Sequence, residues 1–194
     1  MDEILALPDG PLARAALSLA QRTESSLVAD HSLRSFFFAR LLADQDGSAG
    51  DAAYDENLLF AACIMHDLGL GTGAAGQQRF EVEGADLAAD LLRQHGVPAA
   101  DVDRVWEAIA LHSSIGIAGR LGLLTYLTHR GVFTDAGVFT DLPEDLKRQV
   151  VAVYPRTAED SYLRDAIVAH ARRSKAAAPP YSIAADLLRQ ELTR

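Results

Sequence analysis

The sequence has one cysteine, Cys63, and its 27 acidic side chains outnumber 18 basic ones, for a net charge of -9. A lone cysteine excludes an intrachain disulfide and suits a reducing cytosol. Its apolar neighbours make it a packed, inert thiol rather than a nucleophile. The acidic balance argues against a broad surface for a nucleic-acid polymer. It leaves room for a small anionic substrate held by a metal and one arginine. No apolar run approaches the roughly 20 residues that span a bilayer. The opening "MDEILALPDG" is acidic and soon broken by proline, so it is not expected to act as a secretory signal. A soluble, cytoplasmic protein without membrane partners is the expectation. No serine sits in a G-x-S-x-G elbow, and "GLGTGAAG" follows a helical pattern rather than a strand, which argues against a dinucleotide loop.

Two-residue alternation is also nearly absent, whereas helical spacing recurs along the whole chain. Pro11 suits a helix start for "PLARAALSLAQRT". "SLVADHSLRSFFFARLLADQ" predicts a second helix, with Leu27, His31, Arg34, Phe38 and Leu41 or Leu42 on one stripe. A turn-forming segment from Asp46 to Asp51 separates it from "DENLLFAACIMHD", apolar nearly all round and therefore central. "RFEVEGADLAADLLRQHG" predicts a fourth helix closed by Gly96 in a left-handed cap. "PAADVDRVWEAIALHSS" predicts a fifth, and "LGLLTYLTHRG" a sixth ended by Gly131. Three more are expected around "PEDLKRQVVAVY", "AEDSYLRDAIVAHARRS" and "SIAADLLRQEL". The expected architecture is all-α, a single bundle of about eight or nine helices over residues 1–178. Pro179-Pro180 sets off residues 179–194 as a C-terminal helix packed on the domain or on a partner.

The run "AACIMHDLGLG" ends an apolar helix in His66-Asp67, two side chains that are costly to bury without partners. His31 faces the same way as the apolar residues of its own helix. Each alone reads as an ordinary core or helix-end residue. Together they offer an imidazole and carboxylate donor set that suits zinc, iron, manganese or another divalent transition metal. A further hard oxygen donor is expected downstream. Asp135 in "THRGVFTDAG" is preferred over Asp141, because "TDLPED" has the pattern of a helix cap.

In the order "DHSLRSFFFARLL", "ACIMHDLGLG", "RFEVEGADLAADLL", "VWEAIALHSSIGIA" and "RGVFTDAG", the chain resembles the HD-domain superfamily of metal-dependent phosphohydrolases. Within it, the segments are most similar to a cyanamide-hydratase-like branch. The resemblance covers roughly residues 25–140. It implies an all-helical fold with one divalent metal, zinc first and iron, manganese, cobalt or nickel as alternatives, on His31, His66, Asp67 and Asp135. The single-metal nucleotidases of the superfamily carry an acid just after the HD pair. Here "LGLGTG" follows it, with no carboxylate.

A metal that acidifies water needs a proton acceptor nearby, and Glu81 and Glu83 in "RFEVEG" are the candidates. Both also fit the acidic first turn of a helix. His112 is expected to face inward and meet substrate, with Ser113 beside it as a pocket group. Arg34, one turn after His31, either neutralises a substrate anion or pairs with Asp30 or Asp67. His129 and His170 are expected on the surface. Three functions follow as expectations. One is a hydrolase or hydro-lyase adding water to a small molecule, such as a cyanamide-like or nitrile-like carbon. The second is a phosphohydrolase of small phosphoesters or nucleotides. The third is a non-catalytic helical module that keeps the metal for structure. A small-molecule substrate is the expected partner, and a homo-oligomer is compatible with all three.

Overall fold

The computed structural model describes residues 5–156 and 161–193, and among these it contains nine α-helices and no strand. They are α1 (Pro11–Thr23), α2 (Ser26–Asp46), α3 (Glu56–Met65), α4 (Phe80–Gln94), α5 (Ala99–Leu111), α6 (Leu123–Asp135), α7 (Glu144–Val153), α8 (Tyr162–Ala171) and α9 (Ile183–Leu192). The predicted all-α class is the observed one. Local signals set several of the ends. Pro11 opens α1. Ser25 caps α2 by accepting from Val28 N at 3.3 Å, and Asp55 caps α3 through Asn57 N and Leu58 N. Gly96 takes φ 70° past the end of α4, where Val97 N returns to the Leu92 carbonyl. The predicted start of the eighth helix, at 158–160, lies outside the described residues.

Helix α3 is buried from Leu58 through Met65, as its all-round apolar pattern predicts. Around it pack α1, α2, α5 and α6, and α4 lies on α5. Helix α2 carries more than an apolar stripe. Phe36, Phe37 and Phe38 are all fully buried, because the long contact with α6 covers the face that a surface helix would leave wet. A second, smaller apolar cluster joins Phe80 of α4 to Ile167 and Ala171 of α8 and Ala184 of α9. The C-terminal helix thus packs on α8 and reaches into this cluster.

The expected stop at Gly131 is not where α6 ends, for the helix runs on to Asp135. Gly131 is an interior residue whose missing side chain lets α6 approach α2. A Cβ there would lie 2.2 Å from the Ser35 carbonyl oxygen and 2.8 Å from Ala39 Cβ. Because α2 carries His31 and α6 carries Asp135, this contact sets the spacing between the two helices that later share a site. Cys63 is buried beside Thr128, and burial pushes its thiol up to about 12, in keeping with an inert packing residue. No helix among the described residues is long and apolar enough to cross a membrane.

Gly131→Ala should therefore destabilise the protein by about 1–3 kcal/mol through overpacking. In an unhindered helix the same change stabilises by about 0.5–1 kcal/mol. Urea denaturation decides between them, and a raised midpoint would overturn the close-approach reading.

Candidate metal centre

Two helix ends and the body of a third helix meet beneath α8. His31 comes from the second turn of α2, at the start of a run buried from His31 through Ala39. His66 and Asp67 follow the last turn of α3, and His112 follows the last turn of α5. All four side chains are at most 3% exposed. The His66 Nδ1–H donates to the Cys63 carbonyl at 2.7 Å, and the His112 Nδ1–H donates to the Ile109 carbonyl at 2.7 Å. The His31 Nδ1–H donates to Asp135 Oδ2 at 2.6 Å. Carbonyls and carboxylates only accept, so each Nδ1 holds a proton, and in the neutral ring each Nε2 presents a lone pair.

Those lone pairs converge on one carboxylate. His66 Nε2 is 3.2 Å and His31 Nε2 3.9 Å from Asp67 Oδ2, and His112 Nε2 is 3.8 Å from Asp67 Oδ1. His31 Nε2, His66 Nε2 and Asp67 Oδ2 are buried and have no hydrogen-bond partner. One donor atom from each of His31, His66 and Asp67 lies within 4.8 Å of the others. Buried acceptors facing one another without a proton are unstable unless a cation sits between them. Two imidazoles and a carboxylate fit a divalent transition metal, and the second hydrogen bond of each imidazole fixes its tautomer and orientation.

The electrostatics agree. Burial would raise the Asp67 carboxyl, but His66, His112 and His31 hold it well below the usual range. Burial disfavours the His66 cation, yet Asp67 pulls the net shift upward. Burial and then the neighbouring His66 push His112 down to about 4, so it stays neutral.

Asp135, expected as a fourth metal ligand, is not in the three-residue group, and its carboxylate stands behind His31. Oδ1 accepts from Arg34 Nε at 2.8 Å and Arg156 Nη2 at 3.0 Å, and Oδ2 accepts from Arg34 Nη2 at 2.9 Å besides His31. Its position at the end of α6 puts it against the far nitrogen of the imidazole. Asp141, the rival candidate, lies elsewhere and pairs with Arg130 at the surface.

Arg34 is likewise committed. Besides Asp135 it donates to Tyr162 Oη at 3.0 Å and to the Tyr154 and Pro155 carbonyls at 3.4 Å, with its side chain 2% exposed. That answers the alternative left open by the sequence, although the pairing is with Asp135 rather than Asp30 or Asp67.

The two candidate glutamates separate. The Glu83 carboxylate accepts from three consecutive backbone N–H groups, Gly76, Gln77 and Gln78, and so anchors that loop. Glu81 is fully buried near His112. It accepts from Ser113 Oγ at 2.5 Å and Arg79 Nη2 at 2.7 Å. Burial would raise it, but Arg79, His112 and Ser113 keep it ionised. His129 and His170, expected outside, are both buried. They bond the His112 carbonyl and the Gln78 carbonyl, so they brace the backbone around the site.

A small cavity of about 70 Å³ opens on His31, His66, Asp67, His112 and Ser113. Its other walls are apolar, among them Phe80, Val132, Ile167 and Ile183. The contribution of α8 and α9 was not legible in the sequence, since isoleucines at helical spacing read simply as core.

A comparison with protein-family models matches residues 28–171 to the HD domain. The match spans most of the chain, and the chain belongs to that family. A comparison with curated proteins finds no match.

His66→Ala and Asp67→Ala should each strip most bound metal, measured by elemental analysis. Asp135→Asn should keep metal but weaken it about 10–100-fold, the usual effect of losing a histidine's orienting partner. Asp141→Asn should change nothing. If Asp135→Asn empties the site as Asp67→Ala does, Asp135 is itself a ligand in the loaded protein. The raised proton affinity of His66 sets the pH sign. As pH falls through the histidine range of about 6.5, protons should fill Nε2 and release the metal.

Proposed function

We propose that this HD-domain protein is a metal-dependent hydrolase that adds water to a small molecule. One observation carries the reading: three unpartnered buried donor atoms, on His31, His66 and Asp67, lie at the floor of a cavity. A metal kept only for structure would be closed on all sides, whereas a catalytic one keeps an open position.

A bound divalent metal supplies Lewis acidity, polarising the group under attack and easing the deprotonation of water. His31, His66 and Asp67 would hold it. Asp135, pinned by Arg34 and Arg156, keeps the His31 ring turned toward the cluster. His112 presents a neutral Nε2 at the cavity edge, where it accepts a hydrogen bond and then a proton from the attacking water. Burial and His66 keep this imidazole neutral and ready to accept, and the charges of Asp67 and Glu81 offset part of the cost of protonating it. Ser113 donates to Glu81, which leaves its oxygen lone pairs for a donor on the substrate. The apolar walls exclude bulk water and strengthen these interactions.

The similarity of "RFEVEGADLAADLL" and "VWEAIALHSS" to cyanamide-hydratase-like sequences, together with the narrow apolar cavity, favours hydration of a nitrile-like carbon. Hydrolysis of a phosphoester is the second reading, favoured by the arginines beside the site. A screen of metal-loaded protein over cyanamide, small nitriles, nucleoside monophosphates and a generic phosphomonoester tests both. Turnover of none of these, with metal bound, would support a binding module instead.

With a working substrate, His112→Ala should retain metal and lose roughly 10²–10⁴-fold in turnover, the range of general-base assistance. Glu81→Gln should retain metal and also slow turnover. Glu83→Gln should lower the melting temperature while leaving the rate per folded molecule nearly unchanged. Equal turnover in the His112 variant and the wild type would remove His112 from the chemistry.

A further inference from the structure

A second cavity, of about 460 Å³, lies beside the first and shares His31, Leu163, Ile167 and Ile183 with it. Its polar lining is mostly cationic: Arg34, Arg156 and Arg164, with Tyr162, against the single carboxylate of Asp135. Among the described lining residues, three guanidiniums face the one carboxylate of Asp135, which pairs with Arg34 and Arg156, so positive charge is in excess. In a chain of net charge -9 such an excess is local.

The donors are also free. Arg164 Nε and Nη2 are buried and meet no acceptor. Among the described residues, Arg156 spends one nitrogen on Asp135 and makes no other hydrogen bond. Tyr162 Oη accepts from Arg34, so its own O–H remains to be donated. A buried guanidinium with unmet N–H groups is costly, and planar N–H pairs match the oxygens of a carboxylate or phosphate.

We propose that this arginine-lined cavity is an oxyanion subsite that holds a phosphate or carboxylate group of the substrate while its reacting end enters the small cavity at His31, His66 and Asp67. The assignment rests on the hydrolase reading for the word substrate, but the anion site itself stands on its own residues. It narrows the substrate to a small molecule carrying an anion at one end and a compact, hydratable or hydrolysable group at the other.

The test is calorimetric titration of the full chain with inorganic phosphate and, separately, with acetate. The variants are Arg164→Gln, Arg156→Gln and His66→Ala, with circular dichroism to confirm folding. Wild type should bind one of the anions, and which one distinguishes phosphate from carboxylate recognition. Arg164→Gln and Arg156→Gln should each weaken it by roughly tenfold or more, the worth of a charge-assisted hydrogen bond. Arg164→Lys should recover part of the loss. His66→Ala, or chelator-treated protein, should bind within about twofold of wild type, because the metal is a separate site. Three results would overturn the subsite: no binding of either anion at millimolar concentration, binding unaffected by Arg164→Gln, or binding lost in His66→Ala but kept in Arg164→Gln. Anion binding in a protein that holds no metal would sink the hydrolase reading and leave the subsite standing.

Discussion

Lone pairs that face one another in a dry interior organise this molecule. His31 Nε2, His66 Nε2 and Asp67 Oδ2 are buried together with no proton to share. The two imidazoles are held in place by something rigid: a helix-end carbonyl behind His66, and a doubly pinned carboxylate behind His31. The convergence is maintained against its own repulsion by the close packing of the scaffold around it. Helix α3 is buried on every side, and α6 is drawn against α2 at Gly131. A cation placed among these atoms would convert the repulsion into attraction.

The surrounding polar groups divide by what they touch. Glu83, His129 and His170 bind backbone atoms and fix the loops and helix ends from which the site is built. Asp135 and Arg34 act through His31. His112, Ser113 and, behind it, Glu81 stand at the cavity. Among the described residues, the buried ionisable atoms without a partner include those of His31, His66 and Asp67 and two nitrogens of Arg164, besides Glu24, Arg130 Nε and His170 Nδ1.

Two cavities with opposite linings share one wall of α8 and α9 residues. The apolar one would limit the size of what reaches a metal on His31, His66 and Asp67, and the cationic one would supply the proposed anchor at a distance. Binding energy collected at such an anchor can be used to hold the reacting group in position. The C-terminal segments therefore belong to the site as much as to the fold, since Ile183 and Arg164 lie over the same residues as His31.

Much was legible in the chain itself. Helical spacing, prolines at helix starts and Gly96 at a helix end are local signals, and local hydrogen bonding obeys them. The His66-Asp67 pair stood out because two polar residues ended an apolar run, and His31 because it shared an apolar stripe. Glu81 and Glu83 could not be told apart in the sequence. Two residues along a helix point to different surroundings, one toward Ser113 and the other toward the amides of 76–78. Gly131 read as a stop, because a glycine demanded by a neighbouring helix looks the same in sequence as one demanded by a turn. The partner of His31 Nδ1, and the meeting of Arg156 and Arg164 with a helix more than 100 residues away, were decided by tertiary packing alone. The sequence determines which groups must be buried or paired; only the fold decides with what, because that choice depends on distances between helices that no local pattern encodes.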